Sequence, residues 1–143
     1  MGRLVFGVAR VCIAMTNQEP STIVNIGVAM FTVADQDAAL DFYSCVLGFE
    51  IRGDLRFGPE NEYRWVEVAP PGSTARLALN PPMGGTPGGG SIGVETADVA
   101  AEHKRLSALG GVDLDDFMEE VDGVPPMFAL RDPDGNSVWV VQA

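Results

Sequence analysis

Along this chain, apolar residues either run together in short β-branched stretches or recur at helical spacing, and the two patterns follow each other in a fixed order. From Ile23, IVNIGVAMFTVA is β-branched and apolar and predicts a strand. In DQDAALDFYSCVLG, residues Ala39, Phe42, Tyr43 and Val46 fall on one helical face. Asp35 stands where an N-cap belongs, and Gly48 where a helix stops. Three further strands are predicted at FEIRGDLRF, YRWVEVA and ARLALN. GPENE and PPGST between them are rich in turn residues.

After the glycine- and proline-rich PPMGGTPGGG the same order returns. SIGVETA predicts a strand, and DVAAEHKRLSALGG a helix opened by Asp98 and closed by Gly110. VDLDDFMEE, PMFALRD and SVWVVQ predict three more strands. Asp35 and Asp98 thus open equivalent helices 63 residues apart. The fold class expected is α+β: two βαβββ modules, one helix each, completing a curved mixed sheet together. The expected boundaries are an N-terminal extension at 1–21, modules at 22–80 and 91–143, and a linker at 81–90. The linker matches no phosphate-binding glycine motif.

A chain of 143 residues, 46% of them hydrophobic, suits one domain or two small modules sharing a core. The net charge of −11, from 20 acidic and 9 basic residues, argues against nucleic acid and against anionic membrane surfaces. Cys12 and Cys45 lack CxxC spacing, and His103 is the only histidine, so no zinc site is expected. Two reduced thiols in a cytoplasmic protein is the expectation, with Cys45 a small core residue. The apolar start is interrupted by Arg10, too short to span a membrane and a poor signal peptide. It is expected to be an upstream start-site extension, with translation from Met15.

FTVADQDAALDFYSCVLGFE resembles the first-module signature of the vicinal oxygen chelate superfamily, and RDPDGN resembles its late hairpin. That superfamily includes glyoxalase I, extradiol dioxygenases, fosfomycin resistance enzymes and bleomycin resistance proteins. RWVEVAPPG and GGGSIGVETADV are similar to a glyoxalase-like bacterial subgroup, and the likeness runs from Ile23 to Gln142. The resemblance implies that each module curls its sheet into half of a ligand-holding bowl, that the protein is a homodimer, and that up to four His, Glu or Gln residues bind a divalent metal.

Carried over position by position, the ligand positions fall at Val28 and Ser91, each seven residues before a helix-capping Asp, at Arg76 in RLAL, and at Trp139 after the DPDGN turn. A slip of one residue at Arg76, to Ala75 or Leu77, supplies no ligand either. Val, Arg, Ser and Trp are not donors for a hard or borderline cation. The expectation is therefore a subgroup without metal ligands, with no metal and no cofactor. Strand alternation keeps the four positions on the inner face, an apolar lining with a few polar groups.

Trp139 is either a stacking wall for a planar ligand or core filling, and Trp65 faces the same choice. Arg76 either clamps an anionic group or pairs with an acid such as Glu67. The acidic stretch 113–122 is expected to be a solvated strand edge, and His103 to be exposed and idle. No nucleophile–base pair stands out; Glu67 and Glu95 are the candidates for acid–base work, Glu95 sharing the face of Ser91. The function expected is the binding of a small organic molecule in the bowl by a non-catalytic cytoplasmic homodimer, with Trp139, Arg76, Ser91, Val28 and Trp65 as contacts. The alternatives are a metal-dependent lyase, isomerase or dioxygenase of the same superfamily, and a metal-free enzyme using Glu67 or Glu95 as base.

Overall fold

A computed structural model describes residues 19–143. The Met15 start and Cys12 lie outside the described residues. Strand β1 (Val28–Thr32) leads into α1 (Gln36–Asp41), which continues as a single π turn over Phe42–Val46. Strands β2 (Glu50–Phe57), β3 (Tyr63–Ala69) and β4 (Arg76–Asn80) complete the first module. The second repeats the order: β5 (Ser91–Thr96), α2 (Val99–Leu109), β6 (Asp113–Leu114), β7 (Met127–Arg131) and β8 (Ser137–Gln142). The sheet orders are β1-β4-β3-β2 and β5-β8-β7-β6, with β1 parallel to β4 and β5 parallel to β8. The expected α+β fold of two βαβββ modules is therefore present.

Both helices start on the predicted caps. The Asp35 carboxylate accepts from the backbone N–H groups of Asp37 and Ala38, and that of Asp98 from Ala101. Alternation then sorts the strands. Phe31, Val66, Val68, Leu77 and Leu79 of the first sheet face its helix, and Phe128, Leu130, Val138 and Val140 do so in the second. These residues, with Tyr43 and Leu106 from the helical segments, form one core. The helix-bearing faces of the two sheets thus share their burial, and the opposite, inner faces are turned away from it.

A buried carboxylate ties the modules together. Asp132 accepts from the Tyr43 hydroxyl at 2.9 Å, from the Asn136 amide at 3.0 Å, and from the backbone N–H groups of Asp134 and Asn136. Asn136 also donates to Thr32 O and accepts from Gly90 N. A side chain on Gly90 would strike the Phe31 ring, and one on Gly88, at φ +87°, would overlap Asp134 O. Burial, reinforced by Asp132, pushes the Tyr43 hydroxyl pKa well up.

Four expectations need correction. The first strand begins at Val28, not Ile23, because the five residues of β4 match only Val28–Thr32; Ile23, Val24 and Ile26 are left outside the ladder and exposed. The first helix becomes a π turn at Phe42, where Ser44 Oγ donates to Leu40 O and Leu47 N to Phe42 O. Cys45 is exposed rather than core, since it lies off the Ala39–Tyr43 stripe. The strand expected over 112–120 shrinks to Asp113–Leu114 plus an isolated Met118–Met127 bridge; the rest is a solvated acidic edge. No helix among the described residues is long and apolar enough to cross a membrane.

Candidate functional site

On the inner face of the first sheet, register brings four of the sequence candidates together. Val28 stands opposite Arg76 in the parallel β1–β4 ladder, and Glu67 stands opposite Ala78 across β3–β4. Two residues along β3, on the same face, is Trp65. Glu67 is the hub: its carboxylate accepts from the Trp65 indole N–H at 2.9 Å and pairs with the Arg76 guanidinium at 3.3 Å. The Glu67 side chain is 13% exposed and that of Arg76 44%, so the acid is held inside and the cation reaches toward solvent. Gly53 lies across the ladder from Glu67 and leaves the carboxylate uncrowded on that side.

The remaining candidates lie on the second sheet. Ser91, Gly93 and Glu95 alternate outward along β5, while Ile92 and Val94 pack inward. Trp139 of β8 is opposite Gly93, where there is no side chain to cover the indole, and it is 36% exposed. It is therefore a surface of the inner face and not core filling. Within one chain the Val28–Arg76 group and the Ser91–Trp139 group stay on separate sheets. They meet only at the junction, where Arg76 and Glu95 line a crevice of about 450 Å³ that also touches Ala29, Ile92 and Gly93.

A larger cleft, about 830 Å³, opens at the other end of the first sheet. Trp65 joins it to the Glu67–Arg76 pair, and Tyr63, Phe57 and Met83 extend its apolar wall. Phe57 and Tyr63 pair across the β2–β3 hairpin with ring centroids 5.4 Å apart. The sequence reading passed over these two rings. Their signal was present: Leu55 and Phe57, then Tyr63 and Trp65, alternate on the two arms of one hairpin, which puts them on a single face. Arg64, on the opposite face of β3, is held by Asp54 and Asp37 at 2.8 and 2.7 Å. Hydrogen bonding to Arg64 keeps the Asp54 pKa below the ordinary carboxylate range.

His103 is not idle. Its Nε2 lies 2.9 Å from Asp115 O, and its ring meets Phe117 and Phe128 edge to face. It fastens α2 to the acidic edge strand. A metal is implied by the resemblance, but the residues at the four carried-over positions do not fit one. They offer a single hydroxyl, and Arg76 already places a positive charge against the nearest carboxylate. Among the described residues, no group of three or more His, Cys, Asp or Glu side chains is clustered to hold an ion.

Two βαβββ modules on one core, with a lined inner face on each sheet, define the class: a small α+β protein of paired modules. Residues 25–140 match the model of the glyoxalase/bleomycin resistance protein/dioxygenase superfamily, and the chain belongs to that family. A solved member of the superfamily from Sphaerobacter thermophilus DSM 20745 is 33% identical, with a TM-score of 0.76 over 86% of this chain and 100% of its own. TnmS3, an antibiotic binding protein from Streptomyces sp. CB03234, is 30% identical, with a TM-score of 0.73 over 86% of this chain and 98% of its own. The uncharacterized protein YetH of Bacillus subtilis (strain 168) is 33% identical over 62% of this chain and 74% of its own length.

Proposed function

We propose that this chain is a metal-independent binding protein for a small organic molecule, held against the inner faces of its sheets. The observation that carries the reading is the Trp65–Glu67–Arg76 group, an ion pair and an indole, with Arg76 at one of the positions where the resemblance implies a metal donor. An indole face, a half-exposed guanidinium and apolar neighbours make a binding surface with few fixed polar points. The similarity to TnmS3, described as an antibiotic binding protein, supports the same reading. We further propose a cytoplasmic homodimer in which the first module of one chain faces the second module of its partner. The shared core on the helix side, which turns both inner faces outward, supports that pairing. The exposed thiol of Cys45 favours a reducing compartment.

The test is a ligand screen read by quenching of the two tryptophans, followed by titration of Arg76→Leu and Trp139→Ala. Both variants should bind a hit at least tenfold more weakly while keeping the wild-type melting temperature within a few degrees. Undiminished affinity in both would overturn the reading. Glu95, exposed and sharing a crevice with Arg76, supports a second reading as the base of a metal-free enzyme. Turnover that survives chelation and disappears in Glu95→Gln would establish it.

A further inference from the structure

We infer that the crevice at the junction of the two sheets takes a small zwitterion with an apolar body, an amino acid or dipeptide whose carboxylate meets Arg76 and whose ammonium meets Glu95. This rests on the proposed ligand-binding role of Arg76 and names the ligand class. The crevice, about 450 Å³, falls at the small end of the ordinary range for organic ligands. Arg76 and Glu95 are the two charged residues of its lining, and each comes from a different module. Phe49, Pro70, Pro71, Ile92 and Val94 give the rest of the wall an apolar character. Such a lining takes an aliphatic or aromatic side chain, and two charges of opposite sign then fix its orientation.

The two charges of the ligand follow from what each lining charge leaves unused. Among the described residues, Arg76 donates no hydrogen bond, and its one ion pair is the 3.3 Å contact of Nη1 with Glu67. Its Nη2 passes Gly27, which has no side chain to cover it. Glu67, which also accepts from the Trp65 indole, thus holds one corner of the guanidinium and leaves the other donors open to an incoming carboxylate. Glu95 is exposed and, among the described residues, has no cation within ion-pair distance. Arg76 and Glu95 share one crevice and yet do not pair with each other, so the space between them is open to a ligand that bridges them. A ligand with a single charge meets one of the two and takes water from the other without replacing it. A zwitterion of matching span meets both.

Two zwitterions of different span test the assignment, L-phenylalanine and L-alanyl-L-phenylalanine. Each is compared with its N-acetyl form, which lacks the ammonium, and its C-terminal amide, which lacks the carboxylate. Binding to the full chain is read by isothermal titration calorimetry. One of the two zwitterions should bind saturably and at least tenfold more tightly than either of its own capped forms. Glu95→Gln should erase its preference over the N-acetyl form, and Arg76→Leu its preference over the amide, with the melting temperature of each variant within a few degrees of wild type. No saturable binding of either zwitterion, or equal binding of free and capped forms, overturns the inference. A preference that survives Glu95→Gln overturns it too. A screened ligand that depends on Arg76 and Trp139, ignores Glu95→Gln and is not displaced by either zwitterion overturns the inference while leaving the proposed function standing.

Discussion

Glu67 has one hydrogen-bond donor, Trp65, and one cationic partner, Arg76, on one inner face, and removing either has separable effects. Arg76→Leu strips the carboxylate of its counter-charge, whereas Trp65→Phe removes one hydrogen bond and keeps the ring. Because Arg76 is half exposed, its loss should cost only about 1 kcal/mol of stability by urea unfolding. Asp132 is the opposite case, a buried acid with four donors. Asp132→Ala orphans the groups around it and should cost roughly 3–5 kcal/mol. Tyr43→Phe loses a single bond and should cost about 1–2 kcal/mol. The raised Tyr43 pKa adds a pH signature. Its contribution is full below about pH 10, the unfolded value, and is lost as pH rises toward the folded one. Alkaline unfolding of wild type should therefore be steeper than that of Tyr43→Phe. The pairing of Arg76 with Glu67 was one of two options open in the sequence; the hub role of Glu67 was not, because it depends on a register that spacing does not fix.

The elements themselves were largely readable, and the misses share a cause. Helix starts were visible because Asp35 and Asp98 are caps with a local mechanism. Replacing either by Ala should lower stability by about 1 kcal/mol. Strands β3 and β8 match the patterned runs end to end, since burial on one face is what the pattern records. Strand β1 fell short because its length is set by β4, which sequence alternation cannot see. The edge strand β6 dissolved into an acidic loop for a similar reason: its ladder with β7 ends at Leu114, and beyond it Arg131 on Asp115 at 2.7 Å, His103 on Asp115 O and the Met118–Met127 bridge hold the chain. The two sheets use the same device, Arg64 with Asp54 and Arg131 with Asp115. Hydrogen bonding to these arginines depresses both acids. Their contribution is present above the unfolded pKa of 3.8 and is lost as pH falls through the lower folded values. Thermal scans from pH 6 down to 2 should show Asp54→Asn and Asp115→Asn losing less stability than wild type on acidification.

At the scale of the molecule, the modules spend their helix-side faces on one core and leave both inner faces outward. A bowl completed between two chains makes a sharp prediction about mixtures. Arg76→Leu and Trp139→Ala, each defective alone, should complement when refolded together, because a heterodimer then holds one bowl with both residues intact. Random pairing should restore about a quarter of the sites. Recovery of no sites would mean that each bowl lies within a single chain. The most direct measurement is the affinity of a screened ligand for chelator-treated protein, before and after adding back Mn, Fe, Ni and Zn. The account predicts the same dissociation constant in both states, and at least a tenfold loss with Arg76→Leu. Binding or turnover that appears only with a metal would contradict it.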